Sequence, residues 1–295
     1  MTNASSTTEK SEPHEPQPFR WRTGIAYKTR DRIVVRGYDV NELTGNIDFG
    51  SMTYLILRAE LPSPAHAAMT NAMMVSLAEH AMSPSSATVR FATSGGAELS
   101  AAVAAGMAAI GRLHGTADRP AQMFLGVAER AAAEHVDVAE AARRTVAEMR
   151  ARRESMPGFH HPQHIRDPRT ARLLGLAEEL DIAGDYVAVA RAMEDATEGV
   201  FGRRLYLNGP GAMGCIGLDM GFEPVQIKAL FLVARTASLC AHMIEESTRE
   251  VGWRASAGAA MVQPLSLAMQ GPDFYDGPPE RTLPHPNGST PIAAS

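Results

Sequence analysis

The chain has 295 residues, 45% hydrophobic and 21% charged, with a formal net charge of −5 and an isoelectric point near 6.1. That apolar content is ample for a sizeable core, in one large domain or two unequal ones. The acidic balance gives no electrostatic reason to expect a nucleic-acid partner, although the short groups Arg143-Arg144, Arg152-Arg153 and Arg203-Arg204 can each hold a phosphate or carboxylate.

Residues 1–18 are polar and proline-rich, too poor in apolar groups to repay ordering, and read as a flexible tail. They lack the apolar centre of a secretory signal, and their acidic residues argue against a transit peptide, so a cytoplasmic location is expected. Residues 286–295 read as a second tail. No apolar run approaches the roughly 20 residues needed to span a bilayer, and no membrane association is expected.

Between the tails the pattern is helical. Strand-like alternation is confined to Arg32–Tyr38. Ser100–Ile110 predicts a small-residue helix that lets its neighbours approach closely. In Ala121–Arg153, Phe124, Leu125, Ala128, Ala132 and Val136 recur at spacings of three and four, which predicts an amphipathic hairpin or a long bent helix. Thr170–Leu180, Tyr186–Val200 and Val225–Glu246 repeat the pattern. Glycine and proline clusters at Pro62–Pro64, Gly95-Gly96, Pro157-Gly158, Gly209–Gly211 and Gly221–Pro224 punctuate the helices. The fold class is therefore all-α. Cys215 and Cys240 sit in apolar helical stretches and read as buried reduced thiols. They lack the paired spacing of a zinc site, and no metal is expected.

The chemistry-bearing residues stand at the joints between helices. His80 (Glu79-His-Ala-Met-Ser-Pro84), His114 (Gly111-Arg-Leu-His-Gly-Thr-Ala117) and His161 (Pro157-Gly-Phe-His-His-Pro162) all occupy loop-to-helix settings. Glycines such as Gly115 and Gly158 let backbone and ligand come close there. Arg169 follows an Asp-Pro turn. Arg235 lies inside an apolar helix, where a guanidinium must find either a ligand anion or an internal carboxylate such as Glu245 or Glu246.

Together these segments resemble the citrate synthase family, in the short branch that includes citryl-CoA lyases. The motifs occur in family order: Arg36-Gly-Tyr-Asp39 with Glu42-Leu43, Tyr54–Pro62, Glu79-His80, Ala105-Gly106 through Ala117, Pro157–Pro162 with Asp167-Pro-Arg169, Phe231–Thr236 with Ala241–Glu246, and Tyr275-Asp-Gly-Pro278. The resemblance implies an all-helical homodimer. Its large domain would comprise residues 19–114 and 212–285, and a smaller domain, 115–211, would close over CoA. It also implies a CoA thioester as substrate, with a 2-oxoacid or citrate-like acid as the second ligand. His114 would stabilise the thioester enol and His161 would polarise the oxoacid ketone. His80, Arg169 and Arg235 would hold carboxylates, and Arg203 and Gly158 would meet CoA. Neutral imidazole donating to a developing oxyanion and guanidinium gripping carboxylate are sound physical roles.

Two departures stand out. The family's proton-abstracting aspartate falls at Pro210 in Leu205-Tyr-Leu-Asn-Gly-Pro-Gly-Ala212, and a proline cannot take a proton. Its candidate replacements are His160, at a position where the family usually has glycine, and Asp118, on the face of His114 if a helix starts there. The family's late arginine-proline appears as Gln263-Pro264, with Arg254 and Arg281 as possible substitutes. Three functions follow: condensation of an acyl-CoA with oxaloacetate or a related oxoacid using an altered base, citryl-CoA-type cleavage, or a catalytically weak CoA-binding paralogue that pairs with an active subunit.

Overall fold

The computed structural model describes residues 21–161 and 164–253. The expected tails, Gln263-Pro264, Arg254, Arg281 and the Tyr275 segment lie outside the described residues. A three-stranded antiparallel sheet, β1 (Ala26–Lys28), β2 (Ile33–Val35) and β3 (Tyr38–Asp39), opens the described chain and includes the predicted alternating stretch. Everything after it is helical: α1 (Val40–Leu43), α2 (Phe49–Arg58), α3 (Pro64–Ala78), α4 (Pro84–Ser94), α5 (Leu99–Ala108), α6 (Asp118–Glu134), α7 (Val138–Ala151), α8 (Pro168–Glu179), α9 (Asp185–Phe201), α10 (Gly209–Asp219) and α11 (Pro224–Arg249).

Local chemistry sets most helix starts. Asp48, Ser63, Asp137, Asp167 and Asn208 each cap a following helix through a side-chain oxygen that accepts a backbone N–H. Proline in the first turn of α3, α4, α8, α10 and α11 has no amide hydrogen to leave unsatisfied. The long Ala121–Arg153 stretch resolves into a hairpin. His135, in the left-handed region at φ 53°, ends α6, and Asp137 restarts the chain as α7.

One group of helices packs α2 on α3 and gathers α3, α4 and α5 around α11. The other packs α6, α7, α8, α9 and α10 together. The two meet where α11 touches α6 and α10, and where α3 touches α8 and α10. One continuous apolar core runs through this junction. The domain boundary expected at residue 211/212 falls within α10, whose neighbours are chiefly α6, α8 and α9. Asp219, at the end of α10, accepts the Gly184, Tyr186 and Val187 amides at 2.9–3.0 Å and so seats the start of α9.

Helix α11 has 26 residues and contains an 18-residue window of mean hydropathy 1.4, long and apolar enough by composition to cross a bilayer. The sequence expectation missed this because Lys228 and Arg235 interrupt its apolar residues. The helix packs against α3, α4, α5 and α6, which bury 39% of that window. Cys215 is fully buried and burial pushes its thiol up, whereas Cys240 is only partly covered.

The small residues of α5 do what their sizes imply. A Cβ on Gly106 would come within 2.3 Å of Val89 Cγ2 and 3.0 Å of the Ser85 carbonyl oxygen, so α4 and α5 are in close backbone approach. Gly106→Ala is expected to destabilise the fold by about 1–3 kcal/mol through overpacking. Thermal or urea denaturation checks this, with Gly126→Ala, where a Cβ meets open space, as the comparison.

Candidate active site

The joint between the two helix groups encloses a cavity of about 400 Å³, within the size range of small-molecule sites. Its walls come from the segment after α3, the His114 turn before α6, the loop between α7 and α8, and the starts of α8 and α10; Phe231 and Arg235 of α11 complete them. Four histidines (His80, His114, His160, His161) and four arginines (Arg112, Arg119, Arg169, Arg235) line it, together with Gly158 and Pro210. No aspartate or glutamate is among its described lining residues. Arg203 is exposed and stands off this lining; Arg112 and Arg119 occupy the wall near His114 instead.

The loop carrying His160 and His161 is fixed against the start of α10 by backbone pairing. Asn208 N–H donates to the Gly158 carbonyl at 2.9 Å, and His160 N–H donates to the Tyr206 carbonyl at 2.7 Å. A Cβ on Gly211 would lie 2.3 Å from the Gly158 carbonyl oxygen, which explains the glycine there. Gly158 has φ 84° and would press a Cβ to 2.6 Å from Pro120, so its role here is close backbone packing. His160 has φ 61°, the left-handed region that suits glycine, and its side chain is exposed at the cavity wall.

Asp167 locks the other side of this loop. Its carboxylate is buried and accepts Arg169 Nε at 2.8 Å, Arg169 Nη2 at 2.6 Å, and the Arg169 and Gly209 amides at 3.1 and 2.8 Å. Burial alone would raise its pKa. The guanidinium and the Gly209 amide outweigh burial and hold the carboxyl well below the usual range. Arg169 is thereby held as a preorganised fork at the cavity.

Arg235 is 3% exposed and donates from Nε and Nη2 to the Leu77 carbonyl at 3.2 and 3.0 Å, with its guanidinium 5.2 Å from the Phe231 ring centroid. The internal partners considered for it, Glu245 and Glu246, pair instead with Arg90, Glu246 at 2.9 Å. Burial lowers the Arg235 pKa, with Glu79 opposing. His242, in the late-helix motif, bonds Arg90 Nε at 3.1 Å and lies 3.3 Å from Glu79, which steadies the segment carrying His80.

His114 Nε2 lies 2.8 Å from the buried Ser85 hydroxyl. Burial, then Arg235 and Lys228, push its pKa down to about 4, so the ring is neutral near pH 7. Burial also lowers His80, reinforced by Arg169, and lowers His161, reinforced by His80. Asp118 lies outside the cavity lining. Helix α6 begins at Asp118 rather than at His114, so the two do not share a helical face, and the Asp118 carboxylate faces Lys228 Nζ at 3.7 Å.

Sequence reasoning missed Ser85, Arg112, Arg119 and His164. His164 packs against His80 and His161 with ring centroids 5.5 and 4.6 Å away. The Ser83-Pro84 helix start gave a weak local signal for Ser85, and the His-Pro-Gln-His run was the signal for His164.

A mostly helical scaffold with histidines and guanidinium groups gathered at one interhelical cleft defines a class of helical protein with a polar, cationic site. Comparison with known proteins narrows that class. Residues 60–256 match the family described as citrate synthase, C-terminal domain, and the chain belongs to the citrate synthase family. A Mycobacterium tuberculosis protein provisionally named citrate synthase 2 is 32% identical over 222 residues, which are 73% of this chain but 56% of that protein, so this chain spans about half its length. The solved citryl-CoA lyase of Hydrogenobacter thermophilus is 32% identical with a TM-score of 0.76, over 90% of this chain and 97% of that one. A Methanosaeta concilii ATP citrate lyase mutant in complex with (3S)-citryl-CoA shares the fold at 19% identity and a TM-score of 0.69, over 86% of this chain and 44% of that one.

Asp167→Asn removes one partner of a buried pair and is expected to cost on the order of 3 kcal/mol. Because the Asp167 carboxyl is depressed in the folded state, its stabilising contribution is present above the unfolded value of about 4 and is lost as pH falls below it. Melting curves across acid pH should show that part of the decline in the wild type and not in the variant.

Proposed function

We propose that the cleft takes a citryl-CoA-type thioester and cleaves its carbon–carbon bond, releasing acetyl-CoA or another acyl-CoA and a 2-oxoacid such as oxaloacetate; condensation is the same path reversed. The observation that carries this reading is the convergence of His114, His161, Arg169 and Arg235 on one cavity. The likeness to a citryl-CoA lyase along 97% of that chain supports the cleavage direction.

Arg169 and Arg235, with His80, hold the carboxylates of the acid portion. Neutral His161 takes the hydroxyl proton as the hydroxyl becomes the oxoacid carbonyl. The carbon–carbon bond breaks and its electron pair passes into the thioester as an enolate. His114 donates to that enolate oxygen from Nδ1, a role that requires the Ser85 hydroxyl, 2.8 Å from Nε2, to be the donor in that bond. Arg112 and Arg119, rather than the off-wall Arg203, meet the CoA phosphates.

The enolate carbon must then be protonated. Pro210 lines the cavity, and the resemblance puts the family aspartate at this position, just after Asn208, which caps α10 by accepting the Gly211 amide at 3.0 Å. We assign proton delivery to His160. A histidine held at φ 61° where glycine would be unstrained is a local cost that function can explain. Homodimerisation and closure of one helix group on the other belong to the same proposal; the exposed alanines 101, 104 and 108 of α5 support the former.

His160→Gly separates function from fold. Turnover of (3S)-citryl-CoA should fall by about 10²–10⁴ with KM little changed, while the melting temperature stays level or rises because the left-handed position is relieved. Unchanged turnover removes His160 from the mechanism. If wild-type protein binds CoA thioesters but neither cleaves citryl-CoA nor exchanges the acetyl-CoA methyl protons in D2O, the chain is a CoA-binding paralogue. Absence of any CoA affinity overturns both readings.

A further inference from the structure

The cleft contains a histidine cluster that joins two residues of the proposed chemistry, His80 and His161, to a third, His164, which that chemistry does not use. His80, from the segment after α3, meets His161 and His164, from the loop before α8. Their ring-nitrogen ligand atoms all lie within 4.8 Å of one another. The ring centroids are 4.9, 5.5 and 4.6 Å apart. Three imidazoles binding one tetrahedral ion at metal–nitrogen distances of about 2.0–2.1 Å place their centroids roughly 5 Å apart. The rings are therefore already spaced for a shared ion, and small rotations would bring the nitrogens to bonding distance. All three are half-buried.

We propose that His80, His161 and His164 form a three-histidine site for a divalent first-row transition ion, of which Zn²⁺ and Co²⁺ are the simplest representatives. Imidazole nitrogen suits such ions, and three protein ligands leave a fourth position to water or to an oxygen of a molecule in the cleft. The nearby guanidinium groups oppose a dication, and Asp167 beside Arg169 and Glu79 near Arg235 offset part of that opposition. His80 and His161 both line the cavity, so the ion would sit at the cavity wall. An ion held there would take the ring nitrogens that the proposed cleavage uses on His80 and His161, so bound ion and that use of His161 exclude each other, and the test reads the ligand-free protein.

Untagged full-length protein, stripped with chelator, is titrated with Co²⁺ and followed by ligand-field absorption, and with Zn²⁺ by calorimetry. One ion per chain at micromolar affinity or tighter is expected, with tetrahedral Co²⁺ bands. His164→Asn should weaken binding at least about tenfold, whereas His135→Asn, at the exposed end of α6, should not change it. Binding weaker than millimolar, or binding that survives His164→Asn, overturns the proposal. Should His164→Asn fail to fold, X-ray absorption on the Co²⁺-loaded wild type decides: three imidazole ligands support the site, and one or none overturns it.

Discussion

The cleft depends on one buried carboxylate. Asp167 caps α8, grips the guanidinium of Arg169 with two bonds and accepts the first amide of α10, so a single side chain ties two helix starts together and aims an arginine. Such a group is costly to bury alone and strongly held once every lone pair is occupied. The loop carrying His160, His161 and His164 is strung between this knot and the Gly158–Gly211 contact. Gly209 is part of the same arrangement, since a Cβ there would press to 2.9 Å from Arg169 Cζ.

Electrostatics then give the cleft its character. Four guanidinium groups face it and no described lining residue carries a carboxylate, so an anionic ligand meets attraction on several sides. The same positive field, together with burial, keeps His80, His114 and His161 in the neutral form that can either donate or accept a hydrogen bond. The described lining offers no carboxylate as a fixed base, and Pro210 stands in the first turn of α10, where the family resemblance would put an aspartate. The two observations belong together: Pro210 suits the first turn of α10 as well as any residue does, because its missing amide hydrogen has no partner there to lose.

Much of this was legible in the residues. Periodicity in Thr170–Leu180, Tyr186–Val200 and Val225–Glu246 marked α8, α9 and α11 to within a few residues. His80, His114, His161, Arg169 and Arg235 were singled out from their settings and do converge on one cavity. Asp118 and Arg203 lie off the cavity lining. Each was placed by its distance along the chain from a recognised motif, yet α6 starts one turn later than a shared face with His114 would need, and Arg203 ends on the solvent side of its turn. Of the internal partners considered for Arg235, Glu245 and Glu246 lie about three turns along α11 and turn toward Arg90, while Arg235 reaches the Leu77 carbonyl.

The sequence by itself determined the helical class, most helix starts and the family, because these depend on neighbours within a few residues or on the order of motifs. Tertiary packing decided which groups share the cleft. It set Ser85 against His114, brought His164 to His80 across a long separation in the chain, and placed Arg112 and Arg119 on the wall instead of Arg203. Those pairings are set by how α3, α6, α8, α10 and α11 stack, and no pattern within any one of these segments records the distances between them.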